Sequence, residues 1–337
     1  MKSVDFMKNG KKGIKKIIVQ IPAYNEDKTI SKVIAEIPRK IRDYKVEVLV
    51  IDDGSKDNTI LEAEKAGADY IIRNKTNYGL AYSFQKGMNE ALKLGADIIV
   101  NTDADFQYNQ TEIPKLVSPI IEGRADIVSG NRQVEKLNHM SFAKKYGNIL
   151  GSYFVQICSG NGVRDASSGF RAYSREAGLK LFVTSPHTYT HETIIQAKRK
   201  NLRIAEVPVE FRKREGTGSR LISSVPKHIK KSLATITRTT LMYNSLKAFS
   251  YLGALLMALG AVPFIRWVYL SYVKGYFGQH TQSLLIGLIL IVFGGFSIMI
   301  GLISDILAIN RRYLEDILER VKGMEYGWDK ELRLSGK

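Results

Sequence analysis

The chain has 337 residues, enough for one large domain with a full core and an appendage. Fifty Lys and Arg against 33 Asp and Glu give a formal charge of +17, which implies an anionic partner: nucleic acid, an anionic membrane surface or a phosphorylated substrate. The single cysteine, Cys158, excludes an intramolecular disulfide and a cysteine zinc cluster, and reads as a small buried hydrophobe in a reducing compartment.

The lysine-rich residues 1–15 form a basic tail without an apolar core of signal-peptide length, so no export signal is expected. Residues 16–21 then read as a strand, 28–42 as a helix, 46–51 as a strand and 59–66 as a helix. A short strand at 70–73, a helix at 80–94 and a strand at 98–101 follow, then a strand at 126–129, a helix at 142–157 and an extended segment at 202–211 that ends the sheet. Such alternation predicts an α/β fold, a parallel sheet with helices on both faces. No Gly-x-Gly-x-x-Gly follows the first strand and no Gly-Lys-Ser/Thr occurs, which sets aside dinucleotide oxidoreductases and P-loop ATPases.

In such sheets ligands collect outside the carboxyl ends of the strands, and three strands here run into polar segments. The first enters Pro22-Ala23-Tyr24-Asn25-Glu26. The second enters Asp52-Asp53-Gly54-Ser55, followed by Asp57, which reads as a cap for the next helix. One at least of Asp52 and Asp53 is expected to touch ligand. The third, β-branched and buried, ends in Asp103-Ala104-Asp105. Alternation points both carboxylates the same way, so together they suit a hard divalent cation, Mg²⁺ or Mn²⁺, held against substrate phosphates.

The C-terminal third is different. Residues 248–265 carry no charge, apolar character resumes after Arg266, and residues 284–303 form a second apolar run. Each is about 20 residues, the length of a transmembrane helix. Lys227, Lys230, Lys231, Arg238 and Lys247 precede the first span and Arg311, Arg312, Arg320 and Lys322 follow the second, with mainly Lys274 between them. The expected topology is a two-helix, multi-pass protein of the cell membrane with its soluble domain and both termini cytoplasmic. Ile222, Val225, Ile229, Leu233, Ile236 and Leu241, interleaved with basic residues, predict an amphipathic segment on the bilayer surface. The expected domains are thus a tail (1–15), a catalytic domain (16–220), surface helices (221–246), two transmembrane helices (247–309) and a cytoplasmic tail (310–337). Because the basic residues cluster beside the spans, nucleic acid is not the expected partner.

Pro22-Ala23-Tyr24-Asn25-Glu26, Asp52-Asp53-Gly54-Ser55, Asn77-Tyr78-Gly79 and Asp103-Ala104-Asp105-Phe106-Gln107, in that order, resemble the motifs of family 2 glycosyltransferases with the GT-A fold. Ser168-Gly169-Phe170-Arg171, His191-Glu192 and Arg214-Glu215-Gly216-Thr217-Gly218-Ser219-Arg220 resemble, within that family, the polyprenyl-phosphate sugar synthases typified by dolichol-phosphate mannose synthase. The likeness covers residues 16–224, and the two-helix tail is similar to the membrane anchors of some members.

The resemblance implies that Pro22, Tyr24, Glu26, Asp52, Asp53, Asn77, Gly79, Asp103 and Ala104 line the nucleotide-sugar site and that Asp103, Asp105 and Gln107 surround Mg²⁺ or Mn²⁺. It implies acceptor and phosphate contacts from Arg132, Ser168, Arg171, Arg214, Ser219 and Arg220, and a catalytic set of Asp105, Arg132, Asp165, Glu192 and Arg214. Where relatives carry a further arginine after Arg132, Lys145 and Tyr146 occupy that neighbourhood here. The implied reaction is inverting transfer of a hexose from a nucleotide sugar, GDP-mannose or a UDP-hexose, to polyprenyl or dolichyl phosphate, with self-association through the spans as a further expectation. Two other readings stand beside it. One is a transferase extending a lipid-linked glycan or polysaccharide, which usually shows a Gln-x-x-Arg-Trp-like motif and more spans than this sequence offers. The other is a module that binds anionic lipid without chemistry.

Overall fold

The structure is a computed structural model describing residues 15–137, 142–159, 162–184, 189–213, 225–276 and 278–326. The chain divides into two compact units, Met1–Ile236 with Val321–Lys337, and Thr237–Arg320.

The first unit is built on a mixed eight-stranded sheet. Its centre is β1 (Lys16–Ala23), whose Ile17, Val19 and Ile21 enter one core and whose Ile18 enters the other, as a period-2 strand between two helical layers requires. Parallel to it lie β3 (Tyr44–Asp52) on one side and β5 (Ile98–Asn101) on the other; beyond β3 comes β4 (Tyr70–Arg73). A two-residue strand, β2 (Lys40–Ile41), pairs antiparallel with the start of β3. The far side carries β7 (Arg171–Ser174), antiparallel between β5 and β6 (Ile127–Asn131), then β8 (Ile204–Pro208), parallel to β6. One core lies under α1 (Ile30–Glu36), α2 (Thr59–Lys65) and α4 (Ile113–Ile121); the other lies under α3 (Leu80–Lys93), α6 (Arg175–Lys180) and α7 (Thr190–Arg199), with α5 (Phe142–Ser159) packed beside α7.

The expected α/β architecture with a mostly parallel sheet is present; α4, α6 and α7 are helices the sequence reading did not place, and two further differences have clear causes. The helix expected over 28–42 is only α1: Ile37 is already extended (ψ 121°) because Pro38 follows it, and the chain turns into β2. The reversed strand β7 was not expected, since Arg-Ala-Tyr-Ser is four residues long, opens with a charge and shows no alternation.

The second unit is a helical hairpin. The first helix, α8, runs over Val225–Val268, its first turns belonging to the first unit. The described part of the expected surface segment (225–246) and the first span are thus one continuous helix, which ends in a π-helical turn at Tyr269–Val273; residues 221–224 lie outside the described residues. The second, α9, spans Thr281–Glu325. Both are long and apolar enough to cross a membrane, and Leu255, Val262, Ile289, Phe293 and Ile300 are among the large apolar side chains they expose. Glycines form the seam between them. A Cβ on Gly253 would stand 2.6 Å from the Gly294 carbonyl oxygen, and one on Gly260 2.8 Å from that of Gly287. Ser297 donates to the Phe249 carbonyl at 2.9 Å. Backbones this close suit helices that associate by packing rather than by hydrophobic burial. Gly294→Leu is expected to force the helices apart at a cost of about 1–3 kcal/mol, read as a lowered unfolding temperature of the detergent-solubilised protein, whereas Gly295→Leu, with open space at its Cβ, has little effect.

Candidate active site

The strand ends define the site. Ala23 pairs with Asp52, so β1 and β3 finish level, but β5 stops at Asn101, opposite Gln20. Three residues of strand, roughly 10 Å, are missing from that edge. Asp103–Gln107 follow directly on this early strand end, and β1 is without ladder pairing beyond Gln20 on its β5 side, which is where a central strand tolerates Pro22.

The loops after β1 and β3 are stitched together. Asn25, left-handed at φ 54°, receives Lys56 N–H on its side-chain oxygen and donates its own N–H to Ser55 Oγ; Glu26 N–H goes to Thr59 Oγ1. Tyr24 and Glu26 are half-buried at this edge. Asp57 accepts from Thr59 N–H at 3.0 Å and so satisfies the first donor of α2, although the N-cap position itself is Asn58, whose side chain makes no capping bond. Asp52 and Asp53, however, face inward. Asp52 is wholly buried, accepts Ser55 N–H and lies 3.5 Å from Arg73 Nε. Asp53 accepts from Asn74 Nδ2 (2.8 Å), Tyr78 N–H (3.0 Å) and Gly79 N–H (2.8 Å), shaping the Asn77-Tyr78-Gly79 turn at the start of α3 while Asn77 itself is exposed. In this arrangement the backbone and side-chain donors of a tight loop fix the direction of both carboxylates at the strand end where ligand contact is expected of at least one of them.

Asp103 and Asp105 are half-buried and Ala104 is buried between them. Asp105 accepts Gln107 N–H at 3.2 Å, and the turn is made by Phe106 at φ 60°. Gln107 directs its side-chain amide to the Arg212 carbonyl at 3.4 Å. The floor beneath Asp103 is made by its own chain neighbours Asn101 and Tyr108 together with two distant segments, Ser168-Gly169 and Tyr189. Asn101 donates to the Gly169 carbonyl (2.9 Å) and to the Tyr189 hydroxyl (2.8 Å), while Tyr108 OH accepts from Gly169 N–H and stands 3.4 Å from the buried Ser168 Oγ. A Cβ on Gly169 would lie 3.1 Å from both Asp103 carboxylate oxygens. Burial, reinforced by the charge of Asp103, pushes the Tyr108 hydroxyl up to about 12 and the Tyr189 hydroxyl well above its ordinary value, so both stay protonated beside that carboxylate.

Arg132, just past β6, meets Asp165 in a buried, bidentate pair (Nε–Oδ2 2.7 Å, Nη2–Oδ1 2.8 Å), donates to Ser167 Oγ and lies over the Phe211 ring. Burial opposes both charges, but each partner holds the other ionised: Asp165 is lowered and Arg132 raised. Arg171 and Glu192, expected at the acceptor and catalytic positions, lie in buried hydrogen-bond networks. Arg171 is fully buried, donating to Thr190 O, Thr193 Oγ1 and Ala166 O. Glu192, 1% exposed, accepts from Thr184 N–H and Oγ1 and from Gln196. Both brace the segment around α7, which short motifs cannot distinguish from ligand contact because they record residue type and not burial. His191 is buried beside Glu192. Arg214, Ser219 and Arg220 lie outside the described residues. Tyr108, Tyr189 and Gly169 complete the site; only Gly169 had a local signal, its place in Ser168-Gly169-Phe170-Arg171.

Asp103 and Asp105 are at most a partial cation site: among the described residues no group of three or more His, Cys, Asp or Glu side chains is poised to hold a metal. Two carboxylates at an open edge fit an ion that draws its remaining oxygen ligands from a substrate and water, the habit of Mg²⁺.

Comparison with known proteins agrees with this architecture. The model of glycosyl transferase family 2 matches residues 18–182. A UDP-N-acetylglucosamine–dolichyl-phosphate N-acetylglucosaminyltransferase of Methanococcus voltae is 34% identical over 218 residues, covering 58% of this chain and 85% of the relative. A dolichyl-phosphate hexose transferase of Haloferax volcanii is 34% identical over 202 residues, covering 59% of this chain and 84% of the relative. Glucosyl-3-phosphoglycerate synthase of Mycobacterium tuberculosis, solved with UDP, shares the fold with a TM-score of 0.53 at 20% identity, covering 67% of this chain and 80% of that one. The sheet and its notched edge are thus those of a GT-A glycosyltransferase. The chain belongs to glycosyl transferase family 2.

Two outcomes are expected. Gly169→Ala should lower transfer activity at least tenfold with little change in melting temperature, because the new methyl must press on Asp103. Asp165→Asn should cost about 3–5 kcal/mol, since it leaves the Arg132 charge buried without its counter-ion. The wild-type pair stabilises fully above the unfolded-state pKa of Asp165, near 4, and its contribution is lost as pH falls through the lowered folded value. Unfolding curves from pH 6 to pH 3 should show a smaller acid loss in the variant than in wild type, the remainder coming from other carboxylates whose pKa is lowered, such as Glu47 and Asp126.

Proposed function

We propose that this enzyme transfers a hexose from a nucleotide sugar, GDP-mannose or a UDP-hexose, to a polyprenyl or dolichyl phosphate at the cytoplasmic face of the membrane, yielding a lipid-linked sugar for glycosylation. The observation that carries the proposal is the presence in one chain of the Asp103–Asp105 edge and a helical hairpin with an exposed apolar surface. The first suits a nucleoside diphosphate; the second keeps the protein where a polyprenyl phosphate resides. The two archaeal relatives support the acceptor class, since both names specify dolichyl phosphate while their sugars are described differently.

The acceptor is already an anion, so its oxygen needs little help from a base to attack the anomeric carbon. Departure of the nucleoside diphosphate is the harder event. A divalent cation held by Asp103 and Asp105 would supply charge neutralisation at the diphosphate as the glycosidic bond breaks. A single displacement inverts the sugar. Arg132, its charge matched by Asp165, would act as an oriented donor to phosphate rather than as a net positive charge. Arg214, Ser219 and Arg220 would hold the two anionic reactants together. Asp165 acts in this scheme through Arg132, and Tyr24 and Glu26 line the nucleotide.

Transfer of labelled sugar from a panel of GDP- and UDP-sugars to polyprenyl and dolichyl phosphate tests this directly. One donor should give a glycolipid; EDTA should abolish the product, Mg²⁺ or Mn²⁺ restore it, and Asp105→Ala lower the rate at least 100-fold. Absence of lipid-linked product from every donor, with nucleotide still bound, would overturn the acceptor assignment.

A further inference from the structure

The turn that carries the two carboxylates is held from outside by residues that no motif includes. Phe106 sits at φ 60°, a left-handed conformation that is an outlier for a bulky side chain. Such a conformation persists only where its surroundings impose it. Here its ring is met by two cations, with Arg212 Cζ at 4.8 Å and Lys32 Nζ at 5.7 Å from the ring centroid, both within cation–π range. Arg212 is itself fixed in three ways. Its N–H donates to the Gln107 carbonyl at 2.7 Å, its carbonyl accepts from the Gln107 amide, and its Nη1 pairs with both carboxylate oxygens of Glu36 on α1 at 2.8 and 3.1 Å. Glu36 also accepts Gln110 N–H at 3.3 Å, so one carboxylate holds both Arg212 and the far end of the turn. Next to Arg212, Phe211 bridges Tyr108 through the backbone and packs ring to ring at 5.1 Å.

We propose that Arg212, anchored by Glu36, is a positioning residue for the cation site: it clamps Phe106 in its left-handed turn so that Asp103 and Asp105 present their carboxylates to one divalent ion. Neither residue touches the ion or the sugar. The clamp acts on geometry, converting two separate side chains into a pair whose order does not have to be supplied when the ion binds. This inference rests on the metal role given to Asp103 and Asp105 above.

The test is Mn²⁺ binding to the full-length detergent-solubilised protein, followed by the EPR signal of free Mn²⁺ in parallel titrations with UDP and with GDP present. Wild type should bind Mn²⁺ with one of the two nucleotides. Arg212→Gln and Glu36→Gln should each weaken that binding about tenfold, and the double variant should be no weaker than either single one, as expected of residues acting through one link. Phe106→Gly, which adopts the left-handed turn freely but offers no ring, should weaken binding to the same extent; Arg212→Lys should recover part of it. In turnover assays the variants should need about tenfold more Mn²⁺ for half-maximal rate, with kcat at saturating Mn²⁺ within twofold of wild type. Phe106→Gly and Glu36→Gln decide the matter if Arg212→Gln fails to fold. Wild-type affinity in those folded variants would overturn the clamp and leave the cation site standing. Absence of Mn²⁺ binding by wild type with either nucleotide would overturn the cation site and the clamp with it.

Discussion

The side chain of Asn101 is the interaction on which this site depends. It closes β5, accepts from Gln20 across the ladder at 2.9 Å, and spends its two N–H groups on the Gly169 carbonyl and the Tyr189 hydroxyl. One buried amide thus joins the central strand, the segment before β7 and the start of α7. An apolar residue at 101 would take from Gln20 Nε2 its buried acceptor, at about 1–3 kcal/mol, and leave the Gly169 carbonyl and the Tyr189 hydroxyl with only the long 3.4 Å bond to each other. It would also remove the support of the floor on which Asp103 stands. The surrounding aromatic packing, with Phe84 stacked on Tyr189 at 3.8 Å, fills the space that such a polar junction would otherwise leave poorly packed.

Around this junction the chemistry is arranged by charge pairing at two levels. The ion pair of Arg132 and Asp165 is buried and therefore expensive to break, whereas that of Arg212 and Glu36 is about one-quarter exposed and holds a turn rather than a core. The difference has a functional sense. A group meant to face phosphate needs a fixed direction and a controlled net charge, and burial with a carboxylate supplies both. A clamp on a loop needs only to favour one of several accessible conformations, for which a weaker contact suffices.

What could be read from the sequence follows the range of the interactions. The strands at 70–73 and 98–101 were legible to the residue because they are short apolar runs bounded by polar loops, and the edge carrying Asp103 and Asp105 followed from the second of them. The buried hydrogen bonds of Asp53, Arg171 and Glu192 were not legible, because motif letters record residue type and not burial. Still less so was the pairing of Arg212 with Glu36, 176 residues apart, for which neither position carries a local pattern. The reversed strand β7 belongs with these. Its four residues are buried by neighbours on either side and not by any periodicity of their own.

The glycine seam of the hairpin carries a consequence for how that part of the molecule is assembled. Gly253 against Gly294 and Gly260 against Gly287 hold two turns of α8 against two turns of α9 by backbone proximity, and among the described residues of the connection Gly275 and Gly278 face open space. The connection is therefore a tether and not a fastener. A protein divided there and produced as two polypeptides has all the surfaces it needs for its helices to find each other again in the bilayer.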